Sequence, residues 1–254
     1  MQFQNVAAIL KDIPHMELSQ GKIIYDFVRS SSFQNILELG FAHGTSTCYM
    51  AAALEENGSG LIKTIDKQSA KDRRPDIYAL LEETKLNKYV RPIFADTSYN
   101  WELMKIIQDQ TTQGICEPIF DFCFIDGAHS WEVDGLAFFL VEKLLKPGGW
   151  ILFDDLNWTY SNSVTASNIE WVKALPEEQK TTPQVNKVFS LLVCQHPNFE
   201  NFRIVDGWGW TQKKALQDET ARNSNNLVNE IYLQQGIKGD VISLLRKVQS
   251  RLKV

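Results

Sequence analysis

Between residues 20 and 156, short apolar runs alternate with longer segments in which apolar residues recur at helical spacing. The short runs predict strands and the longer segments predict helices, the first of them at residues 20–30. The predicted strands are NILELG at 35–40, GLIKTID at 60–66, VRPIFAD at 90–96, FDFCFIDG at 120–127 and WILFDDL at 150–156. Strands that alternate with helices indicate right-handed crossovers and a parallel sheet.

This alternation stops after Leu156. Residues 157–186 are polar and aromatic, and we interpret them as an insertion over the functional site that contains one short helix near Ser167–Leu175. Two β-rich stretches follow, NKVFSLLVCQ and FRIVDGWGWTQK, separated by HPNFEN. They predict an antiparallel pair that closes the sheet.

The last segment, residues 215–254, predicts a helical tail. Its apolar stripe consists of Val241, Leu244, Leu245, Val248 and Leu252. Core packing or a contact in a homo-oligomer explains this stripe more simply than membrane binding does.

Together these elements predict an α/β fold of the doubly wound, Rossmann-like type. Its sheet is mostly parallel and seven-stranded, with an antiparallel carboxyl-terminal strand pair. A single domain is expected over residues 1–254, with its core at about 18–214, because one sheet with helices on both faces can use this length.

Composition and charge narrow the kinds of partner. Hydrophobic residues make up 44% and charged residues 22%, as in soluble globular proteins, and the formal net charge of −5 offers no basic field for nucleic acid. No apolar run approaches the roughly 18 to 20 residues that span a bilayer, and the amino terminus lacks a signal-peptide pattern. We therefore expect a cytoplasmic protein that acts on a small molecule. The four scattered cysteines indicate buried, reduced thiols.

The turn after the first strand indicates which cofactor binds, because ligands of doubly wound sheets lie at the carboxyl ends of the strands. It reads ELGFAHGTS, in which Glu38, Gly40 and Gly44 form E-x-G-x-x-x-G. This spacing differs from the G-x-G-x-x-G of dinucleotide sites, so it disfavours NAD and FAD. Amides around Gly44 to Ser46, at the start of a helix, suit a carboxylate.

ELGFAHGTS resembles motif I of class I S-adenosylmethionine (SAM) methyltransferases, in which the glycines let the backbone pass close to the methionine part of SAM. Asp66 ends the second strand, where an acidic side chain can bind both ribose hydroxyls. Asp96 ends the third strand and matches the position from which this family contacts adenine. The three signals together predict SAM as the cofactor, with contacts from Glu38, Gly40, Gly44, Ser46, Asp66 and Asp96.

Residues from Ile36 to Trp158, and above all FIDGAHSWEV and WILFDDLNW, resemble a group of bacterial small-molecule O-methyltransferases. This group is related to the macrolide-sugar O-methyltransferases and to cephalosporin-hydroxylase-like sequences. The resemblance implies Mg2+ or a similar divalent cation, bound by Asp126 with Asp154 and Asp155. Such acids can converge because neighbouring strands lie roughly 4.8 Å apart, and oxygen ligands suit a hard cation.

The histidine of the D-x-x-H sequence, His129, matches the proposed base of the related sugar enzymes, and its ordinary pKa suits that task. Asp126 is expected to serve catalysis and the cofactor as well as the metal. Trp158 and Tyr160, just beyond the acids, predict an aromatic wall of the substrate pocket, whereas His43 is interpreted as a partly exposed loop residue.

The predicted function is metal-assisted O-methylation of a small hydroxylated molecule, such as a sugar, a glycosylated natural product or a phenol. Metal-independent N- or O-methylation stays open; in that case the acids would serve only to bind the substrate. A non-catalytic SAM-binding protein is disfavoured by the complete set of acids and His129. A hydroxylase is disfavoured because no flavin or nicotinamide motif and no clustered iron ligands are present.

Overall fold

One seven-stranded sheet organises the computed structural model, which describes residues 2–215. The strands are β1 (Asn35–Leu39), β2 (Leu61–Lys67), β3 (Val90–Ala95), β4 (Thr111–Thr112), β5 (Ile115–Cys116), β6 (Phe120–Ile125), β7 (Leu145–Phe153), β8 (Phe199–Val205) and β9 (Trp208–Lys213). The sheet order is β3-β2-β1-β6-β7-β9-β8, and β4 and β5 form a separate small hairpin. β3, β2, β1, β6 and β7 pair in parallel, whereas β9 is antiparallel to both β7 and β8. The predicted doubly wound fold is confirmed.

Helices cover both faces of the sheet. They are α1 (Phe3–Leu10), α2 (Leu18–Ser30), α3 (Thr45–Asn57), α4 (Ile77–Thr84), α5 (Tyr99–Asp109), α6 (Trp131–Leu144), α7 (Glu170–Lys173), α8 (Glu177–Thr181) and α9 (Gln184–Lys187). Short 3-10 turns occur at Gln68–Asp72, Asn87–Tyr89 and Ala166–Asn168. No helix within residues 2–215 is both long enough and apolar enough to cross a membrane.

Alternate residues of the central strands supply two separate cores. In β1, Ile36 packs in the core shared with α1 to α4, whereas Leu37 packs in the core shared with α5 and α6. In β6, Phe122 packs in the first of these cores and Cys123 in the second. Burial on both faces is what a central parallel strand requires, and it explains why these segments read as continuous apolar runs.

One predicted strand is wrong. NKVFSLLVCQ continues α9 as a π-helix, Val188–Val193, and its buried Val188 and Phe189 pack in the core with α6 and β7. Both antiparallel strands instead come from residues 199–213, joined at Asp206–Gly207. An Asp-Gly pair is a strong hairpin signal, so the sequence carried the correct pairing.

The insertion is built from short helical turns, including α7 to α9, and the helix predicted near residues 167–175 corresponds to a 3-10 turn followed by α7. α1 was not predicted. The tail predicted at 215–254 lies outside the described residues, apart from Ala215, and so does its apolar stripe.

Candidate active site

The strand order reverses between β1 and β6, so a crevice forms at the carboxyl ends of these strands. Gly40 lies at this point with φ +91°, and a side chain there would begin 1.9 Å from the Asp126 carbonyl oxygen. Gly44 has φ +99° and caps α3 through its backbone alone, since no side chain caps the helix. A side chain at Gly44 would meet Ile77 at 2.8 Å. Both glycines are therefore required by the packing of the turn itself.

The carboxylate of Glu38 is fully buried beneath this turn. It accepts hydrogen bonds from the hydroxyls of Ser46, Thr47 and Thr64, each at 2.5 Å. Burial raises its pKa to about 7, although the three hydroxyls act in the opposite direction. Glu38 was predicted to contact the cofactor, but a side chain without exposed surface can act on a ligand only through the turn and α3.

Asp66 lies at the end of β2 and fixes the shape of the turn. Its Oδ2 accepts hydrogen bonds from the amides of Phe41 and Ala42, at 3.0 and 2.8 Å. Ala42 adopts a positive φ of 48°, which a non-glycine residue adopts only at a cost in strain. The Asp66 carboxylate is half-buried at the crevice, and its predicted contact with ribose stays a prediction.

Asp96 follows β3 and is exposed at the same edge of the sheet. Its Oδ1 accepts a hydrogen bond from Gln68 Nε2 at 3.0 Å, and the same amide donates to the Phe94 carbonyl. Phe41 packs edge-on against Phe94, with ring centroids 5.3 Å apart. The ends of β1 to β3 therefore present acids and aromatic rings side by side, and Gln68 was not foreseen.

Three potential metal ligands converge at the ends of β6 and β7. Atoms of Asp126, His129 and Asp155 all lie within 4.8 Å of one another, and we call these residues the Asp–His cluster. His129 Nε2 is 3.4 Å from Asp126 Oδ1 and 3.6 Å from Asp155 Oδ2. The three side chains are 20%, 18% and 44% exposed, in chain order, so they are reachable from solvent.

Asp154 is turned away from this cluster. It is only 6% exposed, and its Oδ1 accepts hydrogen bonds from Trp208 Nε1 at 2.5 Å and from the Asp155 amide at 2.6 Å. Burial raises its pKa to about 8, and the charges of Asp126 and Asp155 add to the rise. Of the two acids predicted as ligands after β7, the structure brings only Asp155 to the cluster.

The electrostatics of the cluster couple the imidazole to the carboxylates. Burial lowers the pKa of His129, but the hydrogen bond with Asp126 and the charges of Asp126 and Asp155 outweigh it and raise the pKa to about 9. Burial raises the pKa of Asp126 to about 6, with His129 opposing the rise. Without a bound cation, this raised pKa favours the imidazolium form of His129, which offsets part of the negative charge of Asp126 and Asp155.

Two of the eight non-glycine residues with positive φ among residues 2–215 belong to this cluster. His129 has φ 53° and Asp155 has φ 55°, in the left-handed region that disfavours side chains. Strained residues persist where the surrounding structure holds them, and they occur preferentially at functional sites. Trp158 packs on the imidazole with centroids 4.8 Å apart, and Tyr160 packs edge-on against Trp158 at 4.8 Å.

A cavity of about 460 Å³ opens beside the cluster. Asp154, Asp155 and Trp158 line it on the cluster side. The rest of the lining is polar and comprises Gln20, Asn157, Asn162, Asp206 and Gly207. Trp158 lines this cavity, and the wall of a substrate pocket at Trp158 and Tyr160 stays a prediction.

The opposite side of the glycine turn is covered by the amino-terminal segment. His43 lies in a turn, as expected, but it is buried rather than partly exposed, and its Nδ1 lies 2.7 Å from the Pro75 carbonyl. Its ring stacks on His15 at 5.6 Å, and His15 Nε2 lies 3.2 Å from an Arg73 nitrogen. No sequence spacing connects these residues, which only the fold brings together.

A family model described as a methyltransferase domain matches residues 37–156, which span the glycine turn, Asp66, Asp126 and Asp155. These residues are similar to that family over a little less than half of the chain. None of the curated proteins matches this sequence significantly.

Solved structures share the fold of this chain. An O-methyltransferase from Bacillus cereus in complex with S-adenosylhomocysteine (SAH) is 22% identical, with 83% of this chain and 88% of that chain covered and a TM-score of 0.56. The SAM-bound O-methyltransferase TomG from Streptomyces achromogenes, involved in tomaymycin synthesis, is 18% identical, with coverages of 84% and 89% and a TM-score of 0.56. The SAH-bound methyltransferase PaMTH1 from Podospora anserina is 16% identical, with coverages of 85% and 88% and a TM-score of 0.59.

At these identities the likeness establishes the fold, which this chain shares with methyltransferases that bind SAM or SAH.

Proposed function

We propose that this protein transfers the methyl group of SAM to a hydroxyl of a small molecule, assisted by a divalent cation. The observation that carries the proposal is the Asp–His cluster, in which two carboxylates and an imidazole converge within 4.8 Å beside the glycine turn. An isolated turn or helix cap would not need three such groups from two strand ends.

For the cofactor, we assign the turn at Gly40 and Gly44 and the first turn of α3 at Ser46 to the methionine part of SAM. The helix start suits a carboxylate because its amides are not capped by a side chain. Asp66 is assigned to the ribose and Asp96 to the adenine, since both acids lie in order along the crevice edge of the sheet.

For the metal, the donor set fits a divalent cation. Asp126 and Asp155 would supply oxygen ligands, which Mg2+ prefers, and His129 Nε2 is near enough to be a third ligand of a softer ion. A cation bound there would make the acceptor hydroxyl more acidic and orient it. Asp154 is not assigned to the metal, because its Oδ1 is held by Trp208 and by the next amide.

His129 is proposed as the general base that accepts the hydroxyl proton while the oxygen bonds to the methyl carbon and SAH is released. A base must be neutral, whereas the charges of Asp126 and Asp155 hold the metal-free imidazole in its protonated form. A divalent cation held by these carboxylates would offset their charge and so lower the pKa of His129. Metal binding would therefore favour the neutral imidazole that a base requires. The acceptor is assigned to the cavity beside Trp158, whose polar lining suits a hydroxylated molecule.

A metal-independent methyltransferase is the second candidate. One observation favours it: His129 Nε2 already lies 3.4 Å from Asp126 and 3.6 Å from Asp155, so a protonated imidazole would offset part of their charge without a metal. In that case Asp126 and Asp155 would orient the imidazole and bind the acceptor.

Calorimetry with Mn2+ tests the proposal in the presence of SAH. We expect the wild-type protein to bind one Mn2+ and Asp155→Asn to lose most of this affinity, because a charged ligand is removed. Asp154→Asn, the neighbouring control, should bind Mn2+ nearly as the wild type does. If the wild type binds no Mn2+, or if both variants lose it equally, the metal assignment fails. SAH release with hydroxylated acceptors, measured with and without EDTA, then separates the two candidates.

A further inference from the structure

The loop between β6 and α6, residues 126–130, is tied to the neighbouring helices through its backbone amides. The Ala128 N–H donates to the Tyr99 hydroxyl at 3.2 Å. The Ser130 N–H donates to Asp134 Oδ2 at 2.9 Å. These two amides lie on either side of the loop histidine, so its position is set by side chains of α5 and α6.

The two side chains that accept these bonds are themselves joined. The Tyr99 hydroxyl donates to Asp134 Oδ1, and both residues are buried. The Tyr99 ring also packs directly beneath the loop, because a side chain at Gly127 would begin 2.5 Å from it. Tyr99 and Asp134 therefore form one buried unit, which we call the Tyr99–Asp134 pair.

This arrangement addresses a specific difficulty of the site. His129 is held at φ 53°, in the left-handed region that non-glycine residues adopt less readily than the right-handed one. A free loop would relax from it, and the imidazole would leave its position between Asp126 and Asp155. The hydrogen bonds on both sides of His129 oppose that relaxation.

We infer that the Tyr99–Asp134 pair positions Asp126 to share a cation with Asp155 and holds His129 beside that cation as the base. The inference rests on the proposed function. Both members of the pair are positioning residues, since they act through the backbone of the loop. Groups behind the first ligands commonly change metal affinity or activity by about 10-fold to 100-fold when removed.

The main test replaces Tyr99 by Phe, which keeps the ring beneath Gly127 and removes only the hydroxyl. We expect Mn2+ binding in the presence of SAH to weaken by about 10-fold to 100-fold, with SAH affinity changed less than about twofold because the SAH contacts are assigned to β1–β3. Tyr89→Phe is the matched control, since Tyr89 is equally buried but lies in the other core cluster. It should leave Mn2+ affinity unchanged.

A second readout does not depend on metal. Amide exchange measured by NMR on the metal-free full chain should be faster at Ala128 in Tyr99→Phe, and faster at Ser130 in Asp134→Asn, by at least about tenfold. Exchange in α3 should not change.

The outcomes separate this inference from the proposed function. Unchanged exchange at Ala128 and Ser130, or equal Mn2+ loss in Tyr89→Phe, would overturn the positioning role. A wild-type protein that binds no Mn2+, but whose variants show the expected exchange and a shifted His129 imidazole resonance, would leave the positioning of His129 standing and refute the metal.

Discussion

Replacing Glu38 by Gln should change the pH dependence of stability in a defined direction. Burial raises the Glu38 pKa from 4.5 to about 7, so the folded protein holds this proton at pH values where the unfolded chain has released it. The free energy of unfolding of the wild type therefore falls as pH rises between these two values. One pKa unit corresponds to about 1.36 kcal/mol, which makes the total loss about 3 kcal/mol.

The amide introduced by Glu38→Gln cannot ionise, and the Ser46, Thr47 and Thr64 hydroxyls can accept hydrogen bonds from it as well as donate to it. Relative to the wild type, Glu38→Gln should gain about 2 to 3 kcal/mol between pH 5 and pH 8. Urea unfolding of both cofactor-free proteins at the two pH values measures this difference. Glu83→Gln, at an exposed position of α4, is the control and should show no such gain. A constant difference between Glu38→Gln and wild type would refute the reasoning.

Three further predictions concern the turn and the base. Asp66→Ala should weaken SAM binding by about 1 to 3 kcal/mol through lost charge-assisted hydrogen bonds, and equal affinities by calorimetry would contradict this. His129→Ala should lower turnover by roughly 100-fold to 10,000-fold while SAM affinity is retained, a loss that should shrink towards high pH; unchanged turnover across pH would exclude the base. Gly40→Ala should lower the free energy of unfolding by more than about 3 kcal/mol, because its side chain would meet a backbone oxygen at 1.9 Å. Gly58→Ala is the control, because Gly58 has a similar φ of +84° but open space around it. It should cost about 1 to 2 kcal/mol in urea unfolding.

The central sheet could be predicted because its strands are buried on both faces. Such strands appear in the sequence as short apolar runs, and their alternation with helices leaves essentially one topology. The same logic located the acids, since the carboxyl ends of parallel strands meet at one edge. Asp66, Asp96 and Asp126 all lie at that edge.

The sequence pattern does not indicate which way a side chain points once its strand has ended. Asp154 and Asp155 are adjacent acids, and only the positive φ of Asp155 turns its carboxylate to His129 while Asp154 faces Trp208. The burial of Glu38 was equally hidden, because its hydroxyl partners come from α3 and β2 as well as from the motif.

The error at residues 186–195 has a different cause. A short apolar run with few polar interruptions has no decisive period, so a buried helix and a buried strand look alike. The Asp206–Gly207 turn was the better guide, because it lies between two stretches of β-forming residues that pair in the structure.

The most direct test of the account is an anomalous difference map from crystals grown with SAH and Mn2+. We predict one peak bound by carboxylate oxygens of Asp126 and Asp155, at about 2.0 to 2.2 Å, with SAH along the ends of β1 to β3 and Asp154 still bonded to Trp208. A map with SAH in place but no peak between these carboxylates, and His129 still bridging them, would contradict metal-assisted methyl transfer.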